Sequence, residues 1–278
     1  MPTTIELVSS LDLPELMPYR TLRRPREHFE QRMFIAEGEK VVRRLLASPL
    51  RIRSMLLTPE WKAQLSAIPR FTTEEMILYV ADHPLLEQIV GYNLHQGLMA
   101  IGELPEDPPL IAILKAIHQA GAGLIVALDG LVNAENVGVI VRNCSGLGVQ
   151  LILSGENSSS PYLRRAVRNS MGTVFRLPVV HVTDLAGTLR MLRERYSYKV
   201  LAADPRAPEV IYRTDLRGNV CVAVGNEGDG LTQRIAAACT TQISIPMMND
   251  TDSLNVANSV AVILSEAMRQ REFVQGQK

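Results

Sequence analysis

Three short segments concentrate the residues able to do chemistry. The first runs Asp129-Gly-Leu-Val-Asn133-Ala-Glu135-Asn136-Val-Gly138-Val-Ile-Val-Arg142-Asn143, after the apolar run Leu124–Leu128. Asn136 and Arg142 are six residues apart and do not share a helical face. With Asn136 at or before a helix cap, both side chains can still converge on one pocket at the strand end. An arginine in an otherwise apolar helix (Val137, Val139, Ile140, Val141) is costly unless it is paired or exposed in a cleft. A surface arginine beside a capping asparagine is the plainer reading of the same spacing.

The second segment is Gly225-Asn226-Glu227-Gly228-Asp229-Gly230, after the apolar run Val220–Val224. Glycines here allow close backbone approach and positive φ. Their order is GxxGxG, whereas a dinucleotide fold uses GxGxxG, and GxxxxGK[ST] is absent as well. A nicotinamide oxidoreductase is excluded on that order. Glu227 and Asp229 disfavour phosphate and suit ribose hydroxyls or a sulfonium cation. The third segment, Ile245-Pro246-Met247-Met248-Asn249-Asp250-Thr251-Asp252-Ser253-Leu254-Asn255-Val256, leaves a strand at the proline, and Asp252 or Ser253 is placed to cap the last helix.

The elements that must position these loops alternate. Leu124–Leu128, Val149–Leu153, Val174–Val180, Lys199–Ala203, Val220–Val224 and Gln242–Ile245 are apolar and rich in β-branched residues. Helical patterns fall at Val137–Leu147, Tyr162–Ser170, Leu185–Tyr196 and Leu254–Arg271. Near-continuous apolar strands between helices predict a parallel α/β sheet covered on both faces. Ligands of such sheets sit beyond the carboxyl ends of the strands. Upstream, Glu37–Ser48 reads as a helix, and Ile52–Thr58, Met76–Ala81 and Gly97–Gly102 are of strand length. Gly102–Leu110 carries three prolines and reads as a linker. The predicted division is 1–104, a linker 105–119, and 120–278.

With 278 residues, 46% hydrophobic and 21% charged, the chain suits two globular domains. No apolar run reaches the ~18–20 residues that span a bilayer, and the first twenty residues read as neither a secretory nor a transit peptide. Three cysteines without a CxxC pair, and five histidines without HExxH, predict neither a disulfide framework nor a metal site. The expectation is a cytoplasmic protein with no membrane partner. Charges balance at 29 each but are segregated. Residues 20–53 hold ten basic and four acidic side chains, 71–119 one lysine and seven acids, and 160–199 eight basic and two acidic. Such stretches either form a local phosphate-binding surface or are ordinary solvated helix faces.

In this order the three segments resemble the SpoU (TrmH-like) ribose methyltransferases of the SPOUT superfamily. Asn136, Gly138 and Arg142 match the family's N-x-G-x-x-x-R, Gly225–Gly230 its GNEGxG, and Ile245–Met247 with Ser253–Val256 its I-P-M…SLNV. Ser170 and Gly172 are similar to its S-x-G segment, and the match covers about residues 120–272. Glu37–Val42 and His95–Ile101 resemble the small α+β RNA-binding domain that precedes the catalytic domain in rRNA-directed members. The resemblance implies a trefoil-knotted parallel-sheet domain, a homodimer, S-adenosylmethionine as methyl donor without a metal, and 2′-O-methylation of a ribose in RNA, with rRNA favoured over tRNA. By position it assigns donor binding to Gly225, Asn226, Gly230, Ile245, Met247 and Leu254. The catalytic set it implies is Arg142, Asn136, Glu227, Ser253 and Asn255. Arg164, Arg165 and Arg168 are candidates to extend an RNA surface. The chain departs from the family in having Asn133-Ala134 for Asp-Pro, and Ala257-Asn258 after SLNV, where Asn258 is expected to face the sheet. These departures support the alternative reading, a non-catalytic RNA-binding or ribosome-assembly protein that retains the fold.

Overall fold

Prolines and glycines punctuate the first hundred residues into short elements, and the computed structural model shows how they pair. It describes residues 3–10, 13–22, 24–91 and 97–275, with side chains through Arg271. His95 and Gln96 of the expected His95–Ile101 segment lie outside the described residues. The chain forms two compact units, Met1–Glu106 with Tyr162–Arg176, and Asp107–Pro161 with Leu177–Lys278.

The first unit is built on β1 (Thr4–Leu7), β2 (Met33–Glu37), β3 (Ile52–Leu57), β4 (Ile77–Val80) and β5 (Leu98–Glu103). Their order is β1-β4-β3-β5-β2, with β1, β4 and β3 parallel and β5 antiparallel to both β3 and β2. The predicted helix is Glu39–Leu46, and it buries Val41, Val42, Leu45 and Leu46. Asp82 caps the helix His83–Val90 through the Leu85 N–H at 2.9 Å, and Gly91 ends it with φ 74°.

The segment Tyr162–Arg176, expected in the second domain, belongs to this first unit. Phe34 of β2 lies 5.3 Å, centroid to centroid, from both Tyr162 and Phe175. Arg164 donates to Glu37 from Nε at 3.0 Å and Nη2 at 2.8 Å, and Arg44 donates to the Met171 carbonyl at 2.6 Å. Burial of this aromatic cluster shortens the strand expected at Val174–Val180. Thr173–Phe175 is a 3-10 turn, and only Val179–His181 pairs in a sheet.

The second unit carries β6 (Leu124–Leu128), β7 (Leu151–Ser154), β8 (Val179–His181), β9 (Lys199–Ala203), β10 (Glu209–Val210), β11 (Val220–Val224) and β12 (Thr241–Ser244). All pair in parallel, in the order β10-β12-β9-β11-β6-β7-β8. Residues 110–119, expected within a linker, are part of the helix Leu110–Ala120. The three prolines end at Pro109, immediately before it, and Leu114 and Ile117 enter the core with Ile125, Ala127, Leu151, Leu153 and Leu189. By strand alternation Leu124, Val126 and Leu128 face the other way, and they too are buried. The helices Ala134–Gly146 and Val256–Gln275 pack on each other, with Val137, Ile140, Val141, Val260 and Leu264 buried. Arg271 fastens the last helix by donating to the carbonyls of Ala122, Gly123, Leu216 and Gly218 at 2.7–3.2 Å.

Phe34 is 1% exposed, so truncating it removes the ring that joins β2 to Tyr162–Arg176. Phe34→Ala is expected to destabilise the first unit by about 3–5 kcal/mol in urea titration. A loss under about 1 kcal/mol would show that the segment is held by its ion pairs instead.

Candidate active site

The carboxyl ends of β9, β11 and β12 open into a cavity of about 550 Å³. Its floor is Ala202, Ala203, Val224 and Ile243, and its walls come from the loops that follow these strands. Gly225, Asn226, Gly230, Ile245, Met247 and Leu254 all line it, as do Glu227, Ser253 and Asn255. Nine of the eleven residues named from the sequence therefore share one cavity. Asn136 and Arg142 are not among the residues lining it.

The glycine loop closes on itself. Asn226 and Gly230 exchange backbone hydrogen bonds, each at 2.9 Å, and Gly230 has φ 70°. A Cβ on Gly225 would stand 2.1 Å from the Gly230 carbonyl carbon and 2.2 Å from the Leu231 nitrogen. Only glycine permits that approach. Asn226 Oδ1 accepts the Gly228 N–H at 2.8 Å, while its Nδ2 donates to the Gly130 carbonyl at 2.9 Å. Asp129, at the end of β6, accepts the Thr232 N–H at 2.7 Å. The turns after β6 and β11 are thus stitched together at both ends of the glycine loop.

Asn136 joins all three predicted loops. Its Nδ2 donates to Glu227 Oε1, and its Oδ1 accepts from Asn255 Nδ2 at 3.2 Å. The helix cap is Asn133, whose Oδ1 accepts the Glu135 N–H at 2.8 Å and the Asn136 N–H at 3.4 Å. That leaves Asn136 in the first turn with its side chain free to bridge. Asn255, not Asp252 or Ser253, precedes the last helix and accepts the Ala257 N–H at 2.9 Å. Asn143 Nδ2 donates to the Ala257 carbonyl at 2.9 Å and ties the two helices beside it.

Arg142 lies exposed on the helix Ala134–Gly146 and makes no ion pair among the described residues. Its exposure resolves the cost of placing a guanidinium in an apolar helix. Glu227 Oε2 likewise has no hydrogen-bond partner among the described residues. The cysteines supply no nucleophile: burial pushes the thiols of Cys144 and Cys221 well up and that of Cys239 to about 12, so all are protonated near neutrality. No group of His, Cys, Asp and Glu able to hold a metal occurs among the described residues.

Sequence reasoning missed the loop after β9, where Asp204, Pro205 and Arg206 line the cavity. The signal was present: Asp-Pro follows an apolar strand, and every carboxyl-end loop of a parallel sheet is a candidate wall. The cavity falls within the range of about 300–1,000 Å³ usual for small-molecule sites. Apolar Ile245, Met247 and Leu254 suit a nucleoside, and Glu227 with Asp229 suits an attached cation. The residues therefore fit S-adenosylmethionine, a nucleoside bearing a sulfonium amino acid.

Residues 123–265 match the SpoU rRNA methylase family. An uncharacterised tRNA/rRNA methyltransferase of Mycobacterium tuberculosis is 32% identical over 97% of this chain and 94% of its own. A 23S rRNA (guanosine-2′-O-)-methyltransferase of Ralstonia nicotianae is 33% identical over 70% of this chain and 77% of its own. The AdoMet-bound rRNA methyltransferase of Sinorhizobium meliloti superposes with a TM-score of 0.79 at 26% identity, covering 95% of this chain and 98% of that one. With three ordered motifs around one cavity in a parallel α/β sheet, the chain belongs to the SpoU rRNA methylase family.

Both departures from the family pattern are accommodated. Asn and Asp are equivalent helix caps, and Asn133 fills that role with Ala134 in the first helical position. Asn258, expected against the sheet, is exposed, because Ala257 and Val260 carry the buried face.

Gly225→Ala forces a methyl into the Gly230 backbone. At least a tenfold loss of S-adenosylmethionine affinity is expected by calorimetry, with the fold retained by circular dichroism. Unchanged affinity would show that the loop's closure does not shape the cavity.

Proposed function

We propose that this protein transfers a methyl group from S-adenosylmethionine to the 2′-oxygen of a ribose in RNA, with rRNA as the substrate class. The observation that carries the reading is the convergence of Glu227, Ser253 and Asn255 with the apolar residues of the third loop on one cavity, locked by the Asn136 amide. Membership of the family and the names of its relatives point to the same activity. Bound in this cavity, S-adenosylmethionine supplies an electrophilic methyl on a sulfonium.

The chain's own residues do the remaining work. Gly225, Asn226, Gly230, Ile245, Met247 and Leu254 hold the donor, with Glu227 and Asp229 offsetting its positive charge. Asn136, itself held by Asn255, fixes Glu227 through Oε1 and leaves Oε2 open to take the proton of the attacking hydroxyl. Ser253 lies at the same wall and orients the ribose. Arg142 cannot act as a base, because a guanidinium remains protonated at any physiological pH. It grips a phosphate beside the target ribose and stabilises the developing alkoxide.

Three further features belong to this reading. A knotted path is supported by the insertion of β11 between β9 and β6, and by the Asn226 bond to Gly130. A homodimer is supported by exposed apolar side chains on the same loops, Val132 at 64%, Met248 at 77% and Leu254 at 37%. RNA binding by the first unit rests on its basic stretch. Arg53 is half-buried and donates to Glu103 at 3.1 Å and to the Gln31 and Arg32 carbonyls, whereas the exposed Arg32 and Arg51 sit in ion pairs with Glu106 at 2.7 Å and Glu103 at 3.6 Å. Such pairs are weak, and a phosphate competes for them. Arg164 is different: its partner Glu37 is 10% exposed, so it serves the fold. No helix among the described residues is long and apolar enough to cross a membrane.

Labelled methyl transfer is expected to total rRNA and not to total tRNA, and a 2′-deoxy nucleotide at the mapped site abolishes it. Transfer to the deoxy substrate would move the reaction to a base. Arg142→Lys is expected to lower turnover at least tenfold while donor affinity stays unchanged, since Arg142 is outside the cavity. Wild-type turnover in that variant would remove the bidentate phosphate role.

A further inference from the structure

Among the described residues that line the cavity, Arg206 is the only cation, set against Asp204, Glu227 and Asp229. The turn that carries it sets the direction in which its side chain leaves the backbone. Asp204 Oδ1 accepts the Arg206 backbone N–H at 2.9 Å and its Nε–H at 3.3 Å, with Pro205 stiffening the link between them. The Asp204 N–H is itself held by the Ile243 carbonyl at 3.0 Å, so the turn is anchored to β12. Asp204 is 27% exposed and the Arg206 side chain 88%. Only Nε is engaged. The two Nη groups have no hydrogen-bond partner among the described residues, which leaves the outer edge of the guanidinium fork open at the cavity.

A planar pair of N–H donors is complementary to a carboxylate, which it binds through two parallel hydrogen bonds. The cavity thus offers acids at the glycine loop and one oriented guanidinium at the loop after β9. A ligand matching both carries a cation and a carboxylate. We propose that Arg206 binds the α-carboxylate of the methyl donor's amino-acid portion, so that the loop after β9 distinguishes the complete donor from a truncated nucleoside. This rests on the donor site described above. An RNA phosphate is the competing partner for an exposed arginine. Three carboxylates around the cavity disfavour a polyanion and leave a zwitterionic amino acid as the better match.

The test is calorimetry on the full-length protein with two ligands. S-adenosylhomocysteine carries the carboxylate, and 5′-methylthioadenosine keeps the nucleoside and lacks the amino-acid portion. Arg206→Met retains the aliphatic stem and is expected to weaken S-adenosylhomocysteine roughly tenfold, as for loss of a charge-assisted hydrogen bond, leaving 5′-methylthioadenosine unchanged. Arg206→Lys, with charge but no fork, is expected to fall between. Equal weakening of both ligands, or of neither, overturns the assignment, and a loss confined to RNA affinity gives Arg206 to a phosphate instead. Failure of the wild-type protein to bind S-adenosylhomocysteine would sink the methyltransferase reading itself, whereas wild-type binding that Arg206→Met leaves intact sinks only the role of Arg206.

Discussion

One carboxamide holds the site together. Asn136 gives a hydrogen to Glu227 and takes one from Asn255, so a single side chain on the first strand-end loop fixes the polar groups of the other two. A carboxamide donates from its nitrogen and accepts at its oxygen, two separate atoms, so it can serve both partners at once. Aspartate there would repel Glu227, and a lysine could not accept from Asn255. Around this bridge the backbone closes through the Asn226–Gly230 pair and the Asn226 bond to Gly130. The polar groups are ordered before any ligand arrives, which is where a site of this kind gains most of its advantage over water.

The two helices that begin at the site are held at a distance from it. Asn255 starts the last helix within the cavity wall, and Arg271 near its other end gathers four backbone carbonyls below the sheet. Asn143 ties that helix to the one bearing Arg142. One of these packed helices carries Arg142, the only charged residue of the set that does not line the cavity. Acids and apolar side chains line the cavity, and the guanidinium of Arg142 stands exposed outside it.

Charge segregation along the chain takes on a different meaning once the strands pair. The acids Glu103 and Glu106, from an acidic stretch, meet Arg51, Arg53 and Arg32 from a basic one, because β5 lies between β2 and β3. Glu37 similarly draws Arg164 from more than a hundred residues away. Arg32 and Arg51 stay exposed within their pairs, which contribute little to stability. The residues that break the family pattern, Asn133 and Asn258, sit where a cap or solvent accepts them, so they give no support to a protein that has lost its chemistry.

Periodicity alone located Leu124–Leu128, Lys199–Ala203, Val220–Val224 and the helix Leu185–Tyr196 to the residue, because each is a strongly patterned run with clear ends. The motif residues were legible only from the order of the three segments and their resemblance to a family, because glycines, amides and acids at strand ends also serve as ordinary turns and caps, as Asn133 and Asn255 do here. What could not be read was everything decided by distant partners. Whether Val174–Val180 is a strand depended on Phe34, more than a hundred residues earlier, claiming Phe175 for its own cluster. Whether residues 110–119 are a linker depended on a core that could receive Leu114 and Ile117. The role of Asn136 depended on Glu227 and Asn255 arriving beside it. Composition and local pattern determined most of the elements this chain makes, and the order of its motifs the residues that belong to the site; strand order brought those residues within hydrogen-bonding distance, because the contacts span about ninety to a hundred and twenty residues and no local pattern encodes them.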